Sequence, residues 1–596
     1  MPRFAAFLLG AAIAGTAVDA SAASTLFKDV RVFDGQEVRQ QTSVLVVDGL
    51  ISAVGNVRAP ADAVIVDGKG KTLLPGLIDA HVHNFDPSGQ REALRFGVTT
   101  QLDMFTDKAL LPEFKRGRES LTATDLADVF SAGTLVTAPR GHGTQFGLRI
   151  PTLAPGADAA AHVNDRVKEG SDFIKLVLED GAAFGGQLRF GSLDTASLQA
   201  AIKAAHENNK LAVVHVSTEA DAIRALEAGA DGLAHSFYDK AASDEFVKLA
   251  KQKNAFVIAT LSINASAAGS NVNKALAGDP DLKPYLLPVQ ANRLAGSLLG
   301  LNSMPAALSS STETVRKLDV AGVAVLVGSD AANPGTTYGV TVHGEMELLV
   351  AAGMTPIEAL RAATSATAKA FRLADRGRIA PGKRADLLLV EGDPTTRIQA
   401  TRRIVGIWKN GSQLKREPTP APVASTAPIA PPGFPISDFE QGKPNGLYGS
   451  WLITTDAMRG GKSTAAMNIV DGGAESSNKA LRMTGTVAES PIPWSGAMFN
   501  PGPQPYAAVN FSGRKQLSFW IRGDGRPYQV MVFSGQSMQG APSFQFVATI
   551  KDQWKQVRIP LEQFQGADFS RLIAIAIVAG APAGDFDALI DSFGIE

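Results

Sequence analysis

The sequence predicts an α/β protein: a (β/α)8 TIM barrel inserted into a small composite β-sandwich and followed by a C-terminal all-β jelly-roll domain. Three observations predict it. Between residues 76 and 376, short apolar runs alternate with helix-like segments, the pattern of parallel βα units. Strand-and-turn signals at 23–75 recur at 377–416, as though one small β domain had been split by an insertion. Beyond a proline-rich stretch at 417–435, only strand alternation remains through residues 436–596.

Bulk properties bound the function before any motif is read. A chain of 596 residues exceeds one ordinary domain, and 45% apolar residues can fill several cores. With 19% charged residues and a net charge of −1, it lacks the basic signature of a nucleic-acid binder. Cysteine is absent, which excludes disulfides, thiolate nucleophiles and Cys-type zinc sites together. Any metal must therefore sit on His, Asp, Glu or Lys, and there are eight histidines to account for.

Residues 1–22 read as a secretory signal peptide. Arg3 supplies the positive end, Phe4 to Val18 is apolar, and Ala20-Ser21-Ala22 is a small-residue cleavage pattern. The run falls short of the roughly 20 residues of a membrane span. The expectation is export to the periplasm or medium, with no membrane span once the signal is removed.

In the small domain, Val44 to Val47 and Leu50 to Val54 flank Asp48-Gly49, the dipeptide of a type I′ hairpin. The matching set is Ala385 to Val390 and Ile404 to Trp408, followed by Asn410-Gly411. Within the insert, eight candidate strands end near His83, Asp103, Gly133, Lys175, His215, His235, Thr260 and Asp330. Thr355-Pro356-Ile357-Glu358 is a capping box that starts a helix running through Ala359 to Phe371. The linker is extended because Pro418, Pro420, Pro422, Pro428, Pro431, Pro432 and Pro435 fix φ and donate no hydrogen bond. Gln516 to Arg522, Phe544 to Val547 and Ile573 to Val578 are strands of the last domain.

The chemistry gathers at the strand ends. His81 and His83 are two apart on an apolar strand, so they face one side and can share an ion. Lys175 lies inside the apolar run Asp172 to Leu176, where an unpartnered ammonium is costly. His215 and His235 each end a strand, and Asp330 ends the eighth. Polar residues at the carboxyl ends of barrel strands converge on the face where barrel active sites lie.

This pattern resembles the amidohydrolase superfamily, and within it the branch similar to imidazolonepropionases and metal-dependent Xaa-Pro dipeptidases. The resemblance covers about Leu26 to Lys415 and includes Gly377 to Leu387, similar to the family's return into its small β domain. It implies His81, His83 and Asp330 on one metal, His215 and His235 on a second, and a carboxylated Lys175 bridging the two. Zinc is the default ion. A hydroxide between two ions is nucleophilic at neutral pH, and Asp330 would serve as general acid and base. A structural alternative pairs Lys175 with Asp330 or Glu179.

His142, flanked by Gly141 and Gly143, follows the third strand and could orient substrate or steady an oxyanion; turn chemistry alone is the alternative. Arg149 could hold a substrate carboxylate. His162, His206 and His343 sit in helical segments and read as structural or solvent-facing. In the last domain, Asp438-Phe439-Glu440, Phe519 to Gly525 and Ile590 to Phe593 resemble complex I intermediate-associated domains, which are similar to galactose-binding jelly rolls. Trp451, Trp494, Trp520 and Trp554 either fill its core, the preferred reading, or stack on carbohydrate.

The expected function is metal-dependent hydrolysis of a small amide, a dipeptide or a cyclic amide. The alternatives are a lactonase or cyclic-imide hydrolase, and a carbohydrate- or envelope-binding protein with an idle barrel. Oligomeric state is left open.

Overall fold

A computed structural model describes residues 24–596 apart from 145–149, 185–189, 299–303, 421–424, 460, 489–492, 536–542, 565–566 and 581. The predicted signal segment and Arg149 lie outside the described residues. The chain opens with five strands, β1 (Ser24–Phe33), β2 (Val38–Val47), β3 (Leu50–Gly55), β4 (Val64–Asp67) and β5 (Lys71–Pro75). The β2–β3 turn is the expected hairpin: Asp48 and Gly49 adopt φ of 50° and 79°, a pair that favours Asn or Asp followed by Gly.

Eight parallel strands follow: β6 (Leu77–Val82), β7 (Val98–Asp103), β8 (Asp128–Ser131), β9 (Ile174–Val177), β10 (Ala212–His215), β11 (Gly232–Leu233), β12 (Phe256–Ile258) and β13 (Ala324–Leu326). They pair in sequence order as a three-stranded and a five-stranded sheet. Both seams are bridged. Val82 pairs with Ala331 and Val136 with Leu176, while the amide of Ala80 donates to Val327 (2.8 Å) and that of Val136 to Lys175 (2.8 Å). Every residue of β6 and β7 is buried, as expected of strands covered on both faces. Ile78, Leu102, Phe173, Val213, Phe256 and Leu326 form an inner cluster with Ala368 and Phe371. A larger apolar cluster joins the helices to the strands' other face.

Two expectations need correction. The segment from Ala359 to Phe371 is not one helix but two, Pro356–Ala362 and Ser365–Ala370, broken at Thr364 with φ −141° and ψ −98°. The break frees carbonyls for the strands: Ile78 donates to Ala363 (2.7 Å) and Val327 to Ala362 (3.2 Å). The capping box itself forms, with Thr355 accepting from the Glu358 amide and the Glu358 carboxylate accepting from Thr355. Likewise, β13 stops at Leu326, and Asp330 reaches the site on an extension that runs beside β6, its amide donating to His81 (2.8 Å). Gly328 permits that approach, because a Cβ there would lie 2.9 Å from the Cβ of His81.

After the parallel strands come β14 (Leu387–Glu391), β15 (Ile404–Lys409) and β16 (Ser412–Gln413). The two halves do pair, β14 running antiparallel to β5 with Leu388 opposite Leu74. Their strands form one hydrogen-bonded sheet of eight. The sheet bends at β1, where register slips between Phe27 and Val30 around Asp29 at φ 55°. A bulge of this kind increases local twist, so the first half of β1 pairs β4 and the second half β5 around Phe27, Val44 and Trp408.

The linker is tied at both ends. The Thr419 amide donates to Pro284 (2.8 Å), and Ile429 bridges Asn510 with Ala430 buried in the C-terminal core. The last stretch of 417–435 thus packs with the C-terminal unit. That unit holds two five-stranded sheets whose paired strands run antiparallel. Phe499, Phe519, Tyr528 and Phe593 lie in one core with Trp451, whose Nε1 donates to Ser437 (3.1 Å). Trp494, Trp520 and Trp554 are half-buried. Among the described residues, no helix is long and apolar enough to cross a membrane.

His343 is a structural histidine with a measurable consequence. It is fully buried, with Nδ1 3.0 Å from Thr401 Oγ1 and Nε2 2.9 Å from the Phe96 carbonyl. Burial pushes its imidazole down to about 4. The unfolded chain takes up this proton near 6.5, so stability contributed by the neutral form is lost as pH falls from 6.5 through about 4. The full effect is about 3 kcal/mol. Urea midpoints measured from pH 7 to pH 4 are expected to fall less steeply in His343→Gln; an identical slope would refute this assignment.

Candidate metal centre

The strand ends bring four imidazoles together. Ring centroids of His81 lie 5.2 Å from His83 and 4.6 Å from His235, and His215 lies 4.7 Å from His235. Asp330 closes the group, its Oδ1 3.5 Å from His81 Nε2 and 3.1 Å from His83 Nε2. Single ligand atoms of His81, His235 and Asp330 all lie within 4.8 Å of one another.

The surroundings fix which nitrogen faces the centre. His81 Nδ1 is 2.9 Å from the Ala234 carbonyl and His83 Nδ1 is 3.4 Å from that of Phe105. A carbonyl only accepts, so Nδ1 bears hydrogen and Nε2 keeps its lone pair. His235 Nδ1 is held by Thr260 Oγ1 at 2.9 Å. His215 differs, because its Nε2 lies 3.4 Å from Glu179 Oε2, a carboxylate that only accepts, which leaves the lone pair on Nδ1. Burial pushes the imidazoles of His81 and His235 well down, which keeps them in the neutral form that binds metal. On orientation, protonation and donor chemistry, the site fits a divalent cation.

Lys175 is buried at the same place, on β9, lining the cavity with the histidines. Burial pushes its ammonium down to about 7, against the pull of Asp330 and Asp103. Among the described residues, no carboxylate lies within ion-pair distance of its Nζ, so neither Asp330 nor Glu179 pairs it.

Several supporting groups were not assigned from sequence. Glu179, named there only as a partner for Lys175, instead accepts from Ser217 Oγ and the Gly181 amide (2.7 Å) beside His215. Burial works against its charge, but His215, Ser217 and Gly181 hold its carboxyl well below the usual range. Asp79 accepts from the Ser329 amide (2.9 Å) and hydroxyl (2.5 Å) and steadies the turn into Asp330. Thr260 sits at φ 46°, and Glu345 secures it by accepting from the next two amides, Leu261 and Ser262, at 2.7 Å each.

The cavity above these groups measures about 470 Å3 and is walled by Phe85, Phe105, Leu135, Phe190 and Tyr238. His142 lines it as expected, its ring stacked on His215 at 4.8 Å and 20°. Arg149 falls outside the described residues. His206 lies on the surface, its Nε2 2.8 Å from Asp231.

Comparison with known proteins agrees with this geometry. Residues 72–415 match the amidohydrolase family, and residues 438–574 match complex I intermediate-associated protein 30 (CIA30). Imidazolonepropionase of Deinococcus deserti is 26% identical over 408 residues, covering 62% of this chain and 92% of that protein. Adenine deaminase of Lysinibacillus sphaericus is 38% identical over 74 residues, only 12% of either chain. Among solved structures, a Xaa-Pro dipeptidase with bound methionine superposes with a TM-score of 0.52 at 22% identity, covering 66% of this chain and 100% of that one. Molinate hydrolase does so at 0.53 and 19%, covering 69% and 99%. Since the matched segment spans more than half the chain and carries the whole histidine cluster, the protein belongs to the amidohydrolase family, hydrolases that act on carbon–nitrogen bonds.

Proposed function

We propose that residues 76–376 form a (β/α)8 barrel that hydrolyses an amide-like bond in a small substrate, a dipeptide or a cyclic amide, with a jelly-roll domain appended. One observation carries the reading: His81, His83, His215, His235, Lys175 and Asp330 line a single cavity, with the outer nitrogens of three histidines engaged by the protein. Divalent ions held there, zinc by default, supply Lewis acidity and make water acidic enough to ionise near neutral pH.

The chain's own groups do the rest. Asp330 Oδ1 takes a proton from the attacking water and returns it to the leaving amine. His142 lies over His215 and positions the scissile carbonyl, adding a donor where negative charge develops. Phe85, Phe105 and Phe190 wall the cavity with apolar surface that disfavours bulk water. Lys175, pushed down by burial, adds as a free amine to carbon dioxide; the new N–C bond and loss of one proton leave an anionic oxygen ligand that would bridge two ions.

Metal content tests the ligand set directly. Protein produced with zinc and bicarbonate is expected to bind about two ions per chain, and Lys175→Ala one or fewer. An unchanged count would remove the bridging role. Turnover is then screened with dipeptides, cyclic amides and lactones; opening of lactones without cleavage of any amide would sink the substrate reading.

A further inference from the structure

The cavity mouth carries a cation that neither the metal centre nor the proton chemistry uses. Arg293 lies on the helix Pro288–Ala295 and is the one arginine among the described residues lining the cavity. Its side chain is 32% exposed. Three contacts fix it. Nη1 is 3.3 Å from Glu92 Oε2, the guanidinium lies 5.8 Å from the centre of the Tyr338 ring, and its carbonyl accepts from the Gly335 amide at 2.7 Å. Tyr338 in turn donates to the carbonyl of His83 at 2.5 Å, so the guanidinium stands one aromatic ring away from a metal-facing residue.

The remaining donors have no competitor of equal strength. Among the described residues, Glu92 is the one hydrogen-bonding partner of this side chain, and a guanidinium offers five N–H groups. Glu92 is itself poorly neutralising, because burial pushes its carboxyl up to about 7 in spite of Arg293. The other acid at the mouth, Asp86, turns one oxygen to the Ser88 amide at 2.7 Å. A planar fork held on an aromatic face at the rim of an apolar cavity matches a carboxylate and discriminates against its neutral amide.

We infer that Arg293 is a specificity-determining residue that binds the free carboxylate of the substrate, so that the substrate class is an N-acyl amino acid or a dipeptide with an unblocked C-terminus. The inference rests on the amide-hydrolysis reading above and gives to Arg293 the role that sequence alone offered to Arg149.

The test compares dipeptides and N-acetyl amino acids with their C-terminal carboxamides on zinc-loaded full-length protein, by kcat/KM and by the shift in thermal midpoint that each ligand produces. The free acids are expected to be preferred on the order of 10- to 100-fold, with the preference abolished in Arg293→Gln and partly restored in Arg293→Lys. The lysine variant guards against a mere folding defect, since it retains charge beside Glu92. Equal turnover and equal shifts for acids and carboxamides overturn the inference while leaving hydrolysis intact. Larger shifts with the acids but no cleavage of any amide support Arg293 and overturn the hydrolytic reading instead.

Discussion

Replacing Asp330 by asparagine is expected to lower kcat by three to four orders of magnitude, while the thermal midpoint stays close to that of the parent. Asn333 and Thr336 hold this residue in place. Asn333 Nδ2 donates to its carbonyl (2.8 Å) and to Oδ1 (3.1 Å), and the Thr336 hydroxyl donates to the same carbonyl (3.0 Å). Asparagine has the same shape and can keep the backbone contacts, so the φ of 52° at this position remains supported. What it loses is the charge facing His81 and His83 and the capacity to accept a proton. Steady-state rates should be read with metal content on the same samples, because the substitution also removes an anionic ligand. A variant that retains its ions and more than a tenth of the parent kcat would show that the proton goes elsewhere.

How much of this site was legible depends on the range of the interaction. His81 and His83 stand out because strand alternation puts residues two apart on one side, and that rule needs no tertiary knowledge. Lys175, His215 and His235 stand out because a polar group inside or ending an apolar run has few structural excuses. Thr260 was marked only as a strand end, with no role, and Glu345 gave no such signal. Glu345 acts on Leu261 and Ser262 across more than eighty positions, and its helical setting reads as ordinary surface until the fold buries it. Glu179 was visible as a carboxylate after β9 but was weighed only as an alternative partner of Lys175, whereas the loop turns it toward His215 and Ser217. The break at Thr364 was hidden for a related reason: local propensity favoured one helix, and hydrogen bonds from Ile78 and Val327 overrode it. Arg293 illustrates the same limit, since nothing in its own segment says that it will meet Tyr338 at a cavity rim.

The second large effect is expected at the opposite ends of the parallel strands, at Lys409. This lysine is fully buried, with Nζ 3.0 Å from Asp128, 3.3 Å from both oxygens of Asp386 and 3.2 Å from Asn410 Oδ1. Asp128 begins β8, whereas Asp386 immediately precedes β14 and Lys409 ends β15, so the cluster ties the small β unit to the parallel strands. Arg376 completes it, donating to Asp128 at 2.6 Å. Lys409→Met keeps the stem's packing but leaves Asp386 without a cation in contact, a loss of about 3–5 kcal/mol for one partner of a buried pair. Removing both charges should hurt less than the single change implies: Lys409→Met with Asp386→Asn is expected to recover about 1–3 kcal/mol as coupling energy. Urea unfolding of the two single variants, the double variant and the parent closes the cycle. Additive effects would mean that Lys409 acts through Asp128 and not through Asp386. Because Asp128 sits at the start of its strand and the proposed metal ligands at the other strand ends, ion content should stay unchanged throughout, which separates this role from the proposed catalytic one.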